Sequence, residues 1–288
     1  MISDVCHAPI SVIIPCYRAS STLQRAVQSI LDQTQLPMEL IMVDDASPDN
    51  GKTKFIISTL EKMIYRRNLG ISVKAIFLNS NIGPGGARNI GWARATQPWI
   101  AFLDADDAWA VNKIALQYGL LKKIEGIDLI AHQSILIPEI NFLPRQSLVK
   151  NCRLKRISLS QMLISNSIPT RSVILRKDIP YRFPNGHFSE DFSLWLSIIS
   201  AGYDVRIMDC PLAYTFRPEF SGDGYSSQLW RQQKRELFTL YDLRRRGGIN
   251  FYVLTIVCIW SIIKFFRRII TRGFFKTIAS ARKNLFNE

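Results

Sequence analysis

The sequence contains few of the residues that build disulfide frameworks, zinc sites or membrane-spanning segments. Its five cysteines are odd in number and far apart, none forms a CxxC pair, and its three histidines are scattered. This pattern excludes a zinc finger and argues against a disulfide scaffold, so we expect reduced cysteines in a cytoplasmic protein. The uncharged run at 249–263 holds 15 residues, which is short of the ~20 apolar residues that cross a bilayer. The first 15 residues also lack the basic start and long apolar core of a secretion signal.

Acidic residues are the minority charge, and the excess of basic residues is unevenly distributed. The chain has 37 Lys and Arg against 23 Asp and Glu, a net charge of +14, and from Arg231 onward 13 basic residues face 3 acidic ones. A uniformly basic nucleic-acid-binding domain would not segregate its charge in this way. The length and the 47% of hydrophobic residues are typical of one large globular domain with an appendage. We therefore predict one main domain at 1–225 and a helical extension at 226–288.

Strand-like apolar runs alternate with helical patterns over the first half of the chain. Residues 11–15, 40–43 and 99–103 read as buried strands, and each is followed by polar residues. This alternation predicts an α/β fold with a mostly parallel sheet flanked by helices. Ligands of open α/β sheets bind beyond the carboxyl ends of the strands, so the polar residues after these strands are the candidate site.

Two of the predicted strands end in clusters of carboxylates. Asp104, Asp106 and Asp107 follow one strand, and Asp44 and Asp45 follow another. Crowded carboxylates repel one another, so a cluster of three favours a bound cation. Alternation along the strand would place Asp104 and Asp106 on the same side. The simpler alternatives are an acidic surface turn for the first cluster and an Asx turn for the second.

Five sequence blocks together resemble one family. They are "SVIIPCYRA", "VDDASPD", "NSNIGPGGARNIGWARA", "FLDADDAW" and "SEDFSLWL", and in this order they resemble the family 2 glycosyltransferases of bacterial polysaccharide biosynthesis. The matching stretch covers roughly residues 9–217, and the "DADD" block is its most specific part. The resemblance implies a GT-A fold with a Rossmann-like sheet. It also implies transfer of a sugar from a nucleotide diphosphate, for which we expect UDP.

The family's DxD motif falls on Asp104 and Asp106 of this chain. The resemblance implies that Asp104 contacts the ribose and that Asp106 binds a divalent cation, with Asp107 as a candidate second ligand. Manganese and magnesium both prefer oxygen ligands, so the sequence does not choose between them.

Further nucleotide-binding residues follow from the same resemblance. Asp45 corresponds to the aspartate that binds the base, with Pro15 and Tyr17 lining the base pocket. The "NIGPGGARN" segment offers backbone N–H groups at a helix start, and its Arg88 suits a phosphate or the base edge. A tight turn without a ligand is the alternative for these glycines. Arg217 is expected to close over the diphosphate, although a His that is frequent there in the family is missing.

Direct displacement at the sugar requires a general base near the acceptor hydroxyl. Glu190 and Asp191 stand at the start of a predicted helix, and the resemblance implies that Asp191 is this base while Glu190 orients the acceptor. The alternative is that both acids only stabilise the helix N-terminus.

The C-terminal extension mixes aromatic residues with arginines. This mixture favours a helix in the headgroup region of an anionic membrane, with a packed helical hairpin or a dimer interface as alternatives.

The resemblance and the C-terminal extension together lead us to expect an inverting, metal-dependent glycosyltransferase that acts on a lipid-linked saccharide at the cytoplasmic side of the inner membrane. A sugar-phosphate nucleotidyltransferase and an inactive scaffold of the same fold are the rival functions. The first should have a glycine-rich triphosphate loop where this chain has "PCYRASS".

Overall fold

The computed structural model describes residues 6–137, 152–184, 189–216 and 229–285, with side chains up to residue 269 in the last helix. The chain forms two compact units, Met1–Ser221 and Gly222–Glu288. Each unit has its own internal packing.

The first half of unit 1 is a four-stranded parallel sheet in the order β3-β2-β1-β4. Strands β1, β2 and β4 are buried on both faces at their centres, which explains why their sequences read as continuous apolar runs, whereas β3 lies at the sheet edge and is only partly buried. Because β1, β2 and β4 are parallel, their carboxyl ends meet at one edge of the sheet. The strands are β1 (His7–Cys16), β2 (Leu36–Asp44), β3 (Ser72–Phe77) and β4 (Trp99–Phe102), and the helices between them are α1 (Leu23–Leu31), α2 (Lys52–Arg67) and α3 (Gly83–Arg94).

The second half of the sheet is mixed. It continues from β4 in the order β8-β6-β9-β5, and β7 pairs with β9. Its strands are β5 (Ala108–Trp109), β6 (Leu129–Leu136), β7 (Leu154–Arg156), β8 (Ile174–Arg176) and β9 (Val205–Thr215), and its helices are α4 (Lys113–Lys123), α5 (Leu159–Ile164) and α6 (Glu190–Ser200). The predicted α/β class, with a parallel sheet flanked by helices, is confirmed.

Close packing of α3 on the sheet fixes the direction in which this helix leaves the site. A Cβ atom at Gly91 would lie 2.5 Å from Cγ2 of Ile13 in β1, a distance that real side chains do not tolerate. Glycine at this position therefore lets α3 lie directly against β1 and carries its N-terminal turn to the carboxyl edge of the sheet.

The expectation that all cysteines are reduced is wrong for one pair. Cys152 and Cys210 form a disulfide, with their Cα atoms 5.4 Å apart. Antiparallel pairing of β7 with β9 brings the two residues together although 58 positions separate them. The sequence spacing could not reveal this contact. Cys6, Cys16 and Cys258 are not disulfide-bonded.

The described part of unit 2 consists of two helices, α7 (Leu229–Arg245) and α8 (Phe251–Leu285). The two helices pack against each other over buried side chains that include Gln233 and Leu240 of α7 and Val257 of α8. Within the residues described, neither these helices nor those of unit 1 combine the length and the apolar character that crossing a membrane requires.

Candidate active site at the carboxyl edge of the sheet

The ends of β1 and β2 are tied together at the site. The backbone N–H of Asp45 donates to the carbonyl of Cys16 at 2.8 Å, which places Asp45 beside Pro15 and Tyr17. The ring of Tyr17 is 41% exposed at this edge. The structure thus brings together the three residues that the sequence predicted for the base pocket.

The carboxylate of Asp45 is buried and holds the start of α3. Its two oxygens accept the N–H groups of Ile82 and Gly83, each at 2.8 Å. A carboxylate at this position satisfies donors that a helix N-terminus otherwise leaves unpaired. These two N–H groups, expected from the sequence to face a phosphate, therefore have a carboxylate of the chain itself as their partner.

Arg88 of α3 joins the two acidic segments of the site. Its guanidinium lies 2.5 Å from Oδ1 of Asp104 and 3.4 Å from Oε1 of Glu190. Burial lowers the pKa of Arg88, but the charges of Asp104 and Glu190 outweigh this effect and raise it, so the arginine stays charged. Arg88 thus faces protein carboxylates, where the sequence predicted a nucleotide contact.

A glycine allows this close approach of α3 and α6. A Cβ atom at Gly85 would lie 3.0 Å from Cγ of Glu190 and 3.1 Å from Cβ of Phe183. Gly85 is therefore a packing feature of the junction between the two helices.

The "DADD" segment forms a turn directly after β4, closed by a 3.0 Å hydrogen bond from the N–H of Asp107 to the carbonyl of Asp104. Asp104 and Asp106 are half-buried, whereas Asp107 is buried. Arg25 of α1 donates to the backbone carbonyl of Asp106 at 2.7 Å. The turn is therefore held in place from its main chain.

The side chain of Asp107, which the sequence offered as a second metal ligand, is buried and pairs with an arginine. Its carboxylate lies 3.2 Å from the guanidinium of Arg171. Burial raises the pKa of Asp107 to about 7, against the opposing effect of Arg171 and with a further rise from the charges of Asp104 and Asp106. We therefore assign Asp107 to the structure of the turn.

The part of the chain that the structure describes contains no group of three or more His, Cys, Asp or Glu side chains that could hold a metal ion. A cation shared with a diphosphate needs only one or two protein carboxylates, because phosphate oxygens and water complete its shell. The half-buried Asp104 and Asp106 fit this requirement.

Glu190 and Asp191 begin α6, as predicted, and both have raised pKa values. Burial is the main cause for each, and for Glu190 the neighbouring charge of Asp191 adds to it while Arg88 opposes it. Asp191 accepts hydrogen bonds from the N–H of Phe192 at 2.7 Å and from Nδ2 of Asn166 at 3.3 Å, which limit the rise. A carboxylate with a raised pKa is a stronger base than one in water, as a general base requires.

Sequence reasoning missed three residues that shape this site, namely Arg25, Asn166 and Arg171. Arg171 lies in a 3-10 turn at Thr170–Ser172, and its carbonyl accepts the indole N–H of Trp109 at 2.8 Å. The polar stretch "NSIPTR" could have marked this region, but nothing in it indicates a partner 64 positions earlier. The predicted Arg217 lies outside the described residues.

Residues 11–179 match the family described as Glycosyl transferase family 2. The chain belongs to this family. The enzyme is also 28% identical to the Escherichia coli UDP-Glc:alpha-D-GlcNAc-diphosphoundecaprenol beta-1,3-glucosyltransferase WfgD, over 85% of this chain and 90% of the relative. The predicted family is confirmed, and the protein is a glycosyltransferase.

Two solved structures show the same fold as this glycosyltransferase. Residues 1–349 of TarS from S. aureus align with a TM-score of 0.62 and 20% identity, over 92% of this chain and 74% of that one. The mannosyltransferase PcManGT from Pyrobaculum calidifontis, in complex with GDP-Man and Mn2+, aligns with a TM-score of 0.58 and 17% identity, over 84% and 67%. Both likenesses support the GT-A fold.

The buried position of Arg88 makes a prediction about stability. Arg88→Met should lower the free energy of unfolding by about 2 to 3 kcal/mol, because Asp104 and Glu190 would stay partly buried without their counter-charge. Denaturant titration would measure this change. Arg94→Met is the matched control, because Arg94 is exposed on the same helix and should change stability by no more than about 0.5 kcal/mol. Equal losses in both variants would contradict the bridging role of Arg88.

Proposed function

We propose that this glycosyltransferase moves one sugar, with inversion, from a UDP-sugar to a hydroxyl of a lipid-linked saccharide during synthesis of bacterial surface polysaccharide. The observation that carries the proposal is the Arg88 bridge. It brings the "DADD" turn, where a donor diphosphate would lie, next to Glu190 at the start of α6, the helix whose first turn carries the candidate base Asp191. The name of the relative WfgD, with a UDP-Glc donor and a diphosphoundecaprenol acceptor, supports these two substrate classes.

In this proposal the nucleotide base lies over the ends of β1 and β2. The exposed ring of Tyr17 packs on the base, with Pro15 beside it. Asp45 shapes the floor of this pocket through its hydrogen bonds to Ile82 and Gly83. A carboxylate oxygen can accept more than one hydrogen bond, and in this proposal Asp45 also accepts one from the base. Asp104 contacts the ribose.

Asp106 would hold Mn²⁺ or Mg²⁺ together with the diphosphate oxygens, and Arg217 would close over the diphosphate. When bound, the cation neutralises the negative charge that grows on the leaving diphosphate. The hydrogen bond from Arg25 to the carbonyl of Asp106 sets the position of this aspartate. The Mn2+ in the structure of PcManGT supports manganese as the first ion to test.

Asp191 would accept the proton of the attacking hydroxyl, and Glu190 would orient the acceptor. With the help of this base the hydroxyl attacks the anomeric carbon in a single displacement, on the face opposite the leaving diphosphate. The bond to the diphosphate breaks as the new bond forms, so the configuration inverts. We propose residues 1–225 as the catalytic domain. Residues 226–288 would keep the enzyme at the cytoplasmic side of the inner membrane, where a lipid-linked acceptor is exposed.

A donor screen followed by product analysis tests the proposal. UDP-, GDP-, dTDP- and CMP-sugars with Mn²⁺ are compared by thermal shift, and a ligand at 100 times its dissociation constant should stabilise the enzyme by about 2.7 kcal/mol. The stabilising donor is then incubated with a short-chain lipid diphosphate that carries GlcNAc. We expect a UDP-sugar to bind and the anomeric configuration to invert, as read by NMR. A product with the configuration of the donor would contradict the proposal. So would pyrophosphate release from a nucleoside triphosphate and a sugar phosphate.

A further inference from the structure

The outward face of α8 is apolar over about 24 Å of helix length. Between positions 251 and 266, eight large apolar side chains are between 41% and 78% exposed. At about 100° per residue these positions fall within one half of the helix circumference. The eight are Phe251, Tyr252, Ile256, Ile259, Trp260, Ile262, Ile263 and Phe266, and we call them the apolar face of α8.

The opposite half of α8 packs against α7 with apolar side chains, among them the buried Val257 and Phe265, and also with polar and charged ones. Glu236 of α7 accepts a hydrogen bond from Ser261 at 2.8 Å and pairs with Lys264 at 3.1 Å and with Arg268 at 3.3 Å. Gln233 donates to Ser261 at 2.9 Å within the same contact. A helix hairpin of a water-soluble domain normally turns its apolar side inward and its charges outward. Helix α8 departs from this pattern, because it places Lys264 and Arg268 in its contact with α7 and leaves eight large apolar side chains exposed on its other half.

We propose that the apolar face of α8 inserts into the interface of an anionic membrane, between the headgroups and the acyl chains. Unit 2 also carries exposed basic residues at both ends of α7 and just beyond it: Arg231, Lys234, Arg235, Arg244, Arg245 and Arg246. Their charge favours an anionic lipid surface. A second copy of the chain would bring like charges together, which argues against a dimer at this face.

The arrangement around Glu236 explains how a helix with inward charges can lie at this depth. Glu236 pairs with Lys264 and Arg268 inside the helix pair, so these two charges are kept from lipid. Arg267 is exposed beside the apolar face, and its long side chain can reach the headgroups. The apolar face is also shorter than the ~30 Å hydrocarbon core of a bilayer. We therefore place α8 parallel to the membrane surface, at the depth of about 5–10 Å typical of interfacial helices.

Vesicle co-sedimentation of the full chain tests this docking. We expect binding to phosphatidylcholine vesicles that contain one third phosphatidylglycerol, and weaker binding to phosphatidylcholine alone. The double variant Ile256→Asp with Ile263→Asp should lower the affinity at least about tenfold, because two carboxylates would enter an apolar layer. Phe55→Asp is the matched control, since Phe55 is 70% exposed on α2 of unit 1, and its affinity should equal that of the wild type.

A second variant tests the electrostatic part and does not alter the apolar face. Arg244→Gln with Arg245→Gln should weaken binding to the anionic vesicles about 30-fold, from about fivefold per basic residue near such a surface. Circular dichroism would show that each variant keeps its helices.

Two results would overturn the inference. One is vesicle binding that neither double variant changes. The other is a wild-type dimer, measured by light scattering, that does not bind vesicles and becomes monomeric in the Ile256→Asp, Ile263→Asp variant, because a second copy would then cover the face. This inference rests on the proposed function in one respect: a lipid-linked acceptor requires the enzyme to work at a membrane. The assay contains no sugar substrate, however, so its failure and a failure of the proposed reaction can be told apart.

Discussion

Asp106→Asn is expected to lower kcat at least about 100-fold, the loss typical when a group that stabilises charge in the transition state is removed. Asp106 is half-buried, and its backbone is held by Arg25, so the amide would occupy the same position without the negative charge. A neutral amide oxygen is a much weaker ligand for Mn²⁺ or Mg²⁺ than a carboxylate. The measurement is kcat for sugar transfer at saturating UDP-sugar and Mn²⁺.

The melting temperature of the Asp106→Asn variant should stay close to that of the wild type, since its main-chain contacts are unchanged. Asp32→Asn is the matched control, because Asp32 is exposed at the end of α1, and it should transfer sugar at the wild-type rate. Near-normal turnover by the Asp106 variant would refute its role in cation binding.

Asp191→Asn is expected to lower kcat by about 10²- to 10⁴-fold, the usual contribution of a positioned general base. The KM for the donor should change little, because Asp191 would act on the acceptor hydroxyl. In the wild type, burial raises the pKa of Asp191 above its ordinary value. The active form of Asp191 is deprotonated, so activity should fall as the pH is lowered. An exposed aspartate titrates near pH 4, and the fall in activity should occur at a higher pH than that.

A pH profile of kcat checks this prediction together with the loss in the variant. Asp178→Asn provides the control, because Asp178 lies on the surface, paired with Arg176, and its removal should leave the acidic limb in place. A variant at Asp191 that changes only KM, with kcat and its pH profile unaltered, would assign this residue to acceptor binding.

The parallel half of the fold was predictable because its signals are local. Strands β1, β2 and β4 are buried on both faces and appear as apolar runs, and polar residues mark their ends. Helix α6 begins at Glu190, where the sequence predicted the start of a helix.

The contacts that hold the site together were not predictable, because they join distant positions. Arg171 pairs with Asp107 across 64 residues, and Arg88 meets Glu190 across 102. The family resemblance selected Arg88, but its partners depend on how α3 packs against α6. The edge strands β5 and β7 are only two and three residues long. Such segments are too short to show a periodic pattern in the sequence. Because β7 could not be predicted, its pairing with β9 and the Cys152–Cys210 disulfide beside it could not be predicted either.

A crystal of the enzyme grown with UDP and Mn²⁺, measured at the manganese absorption edge, tests the central claim most directly. We expect one anomalous peak at coordination distance from a carboxylate oxygen of Asp106 and from the diphosphate. The uracil should lie over Tyr17, and the side chain of Asp191 should face the open side of the same cleft. A manganese peak on other side chains, or UDP bound away from the "DADD" turn, would contradict the account.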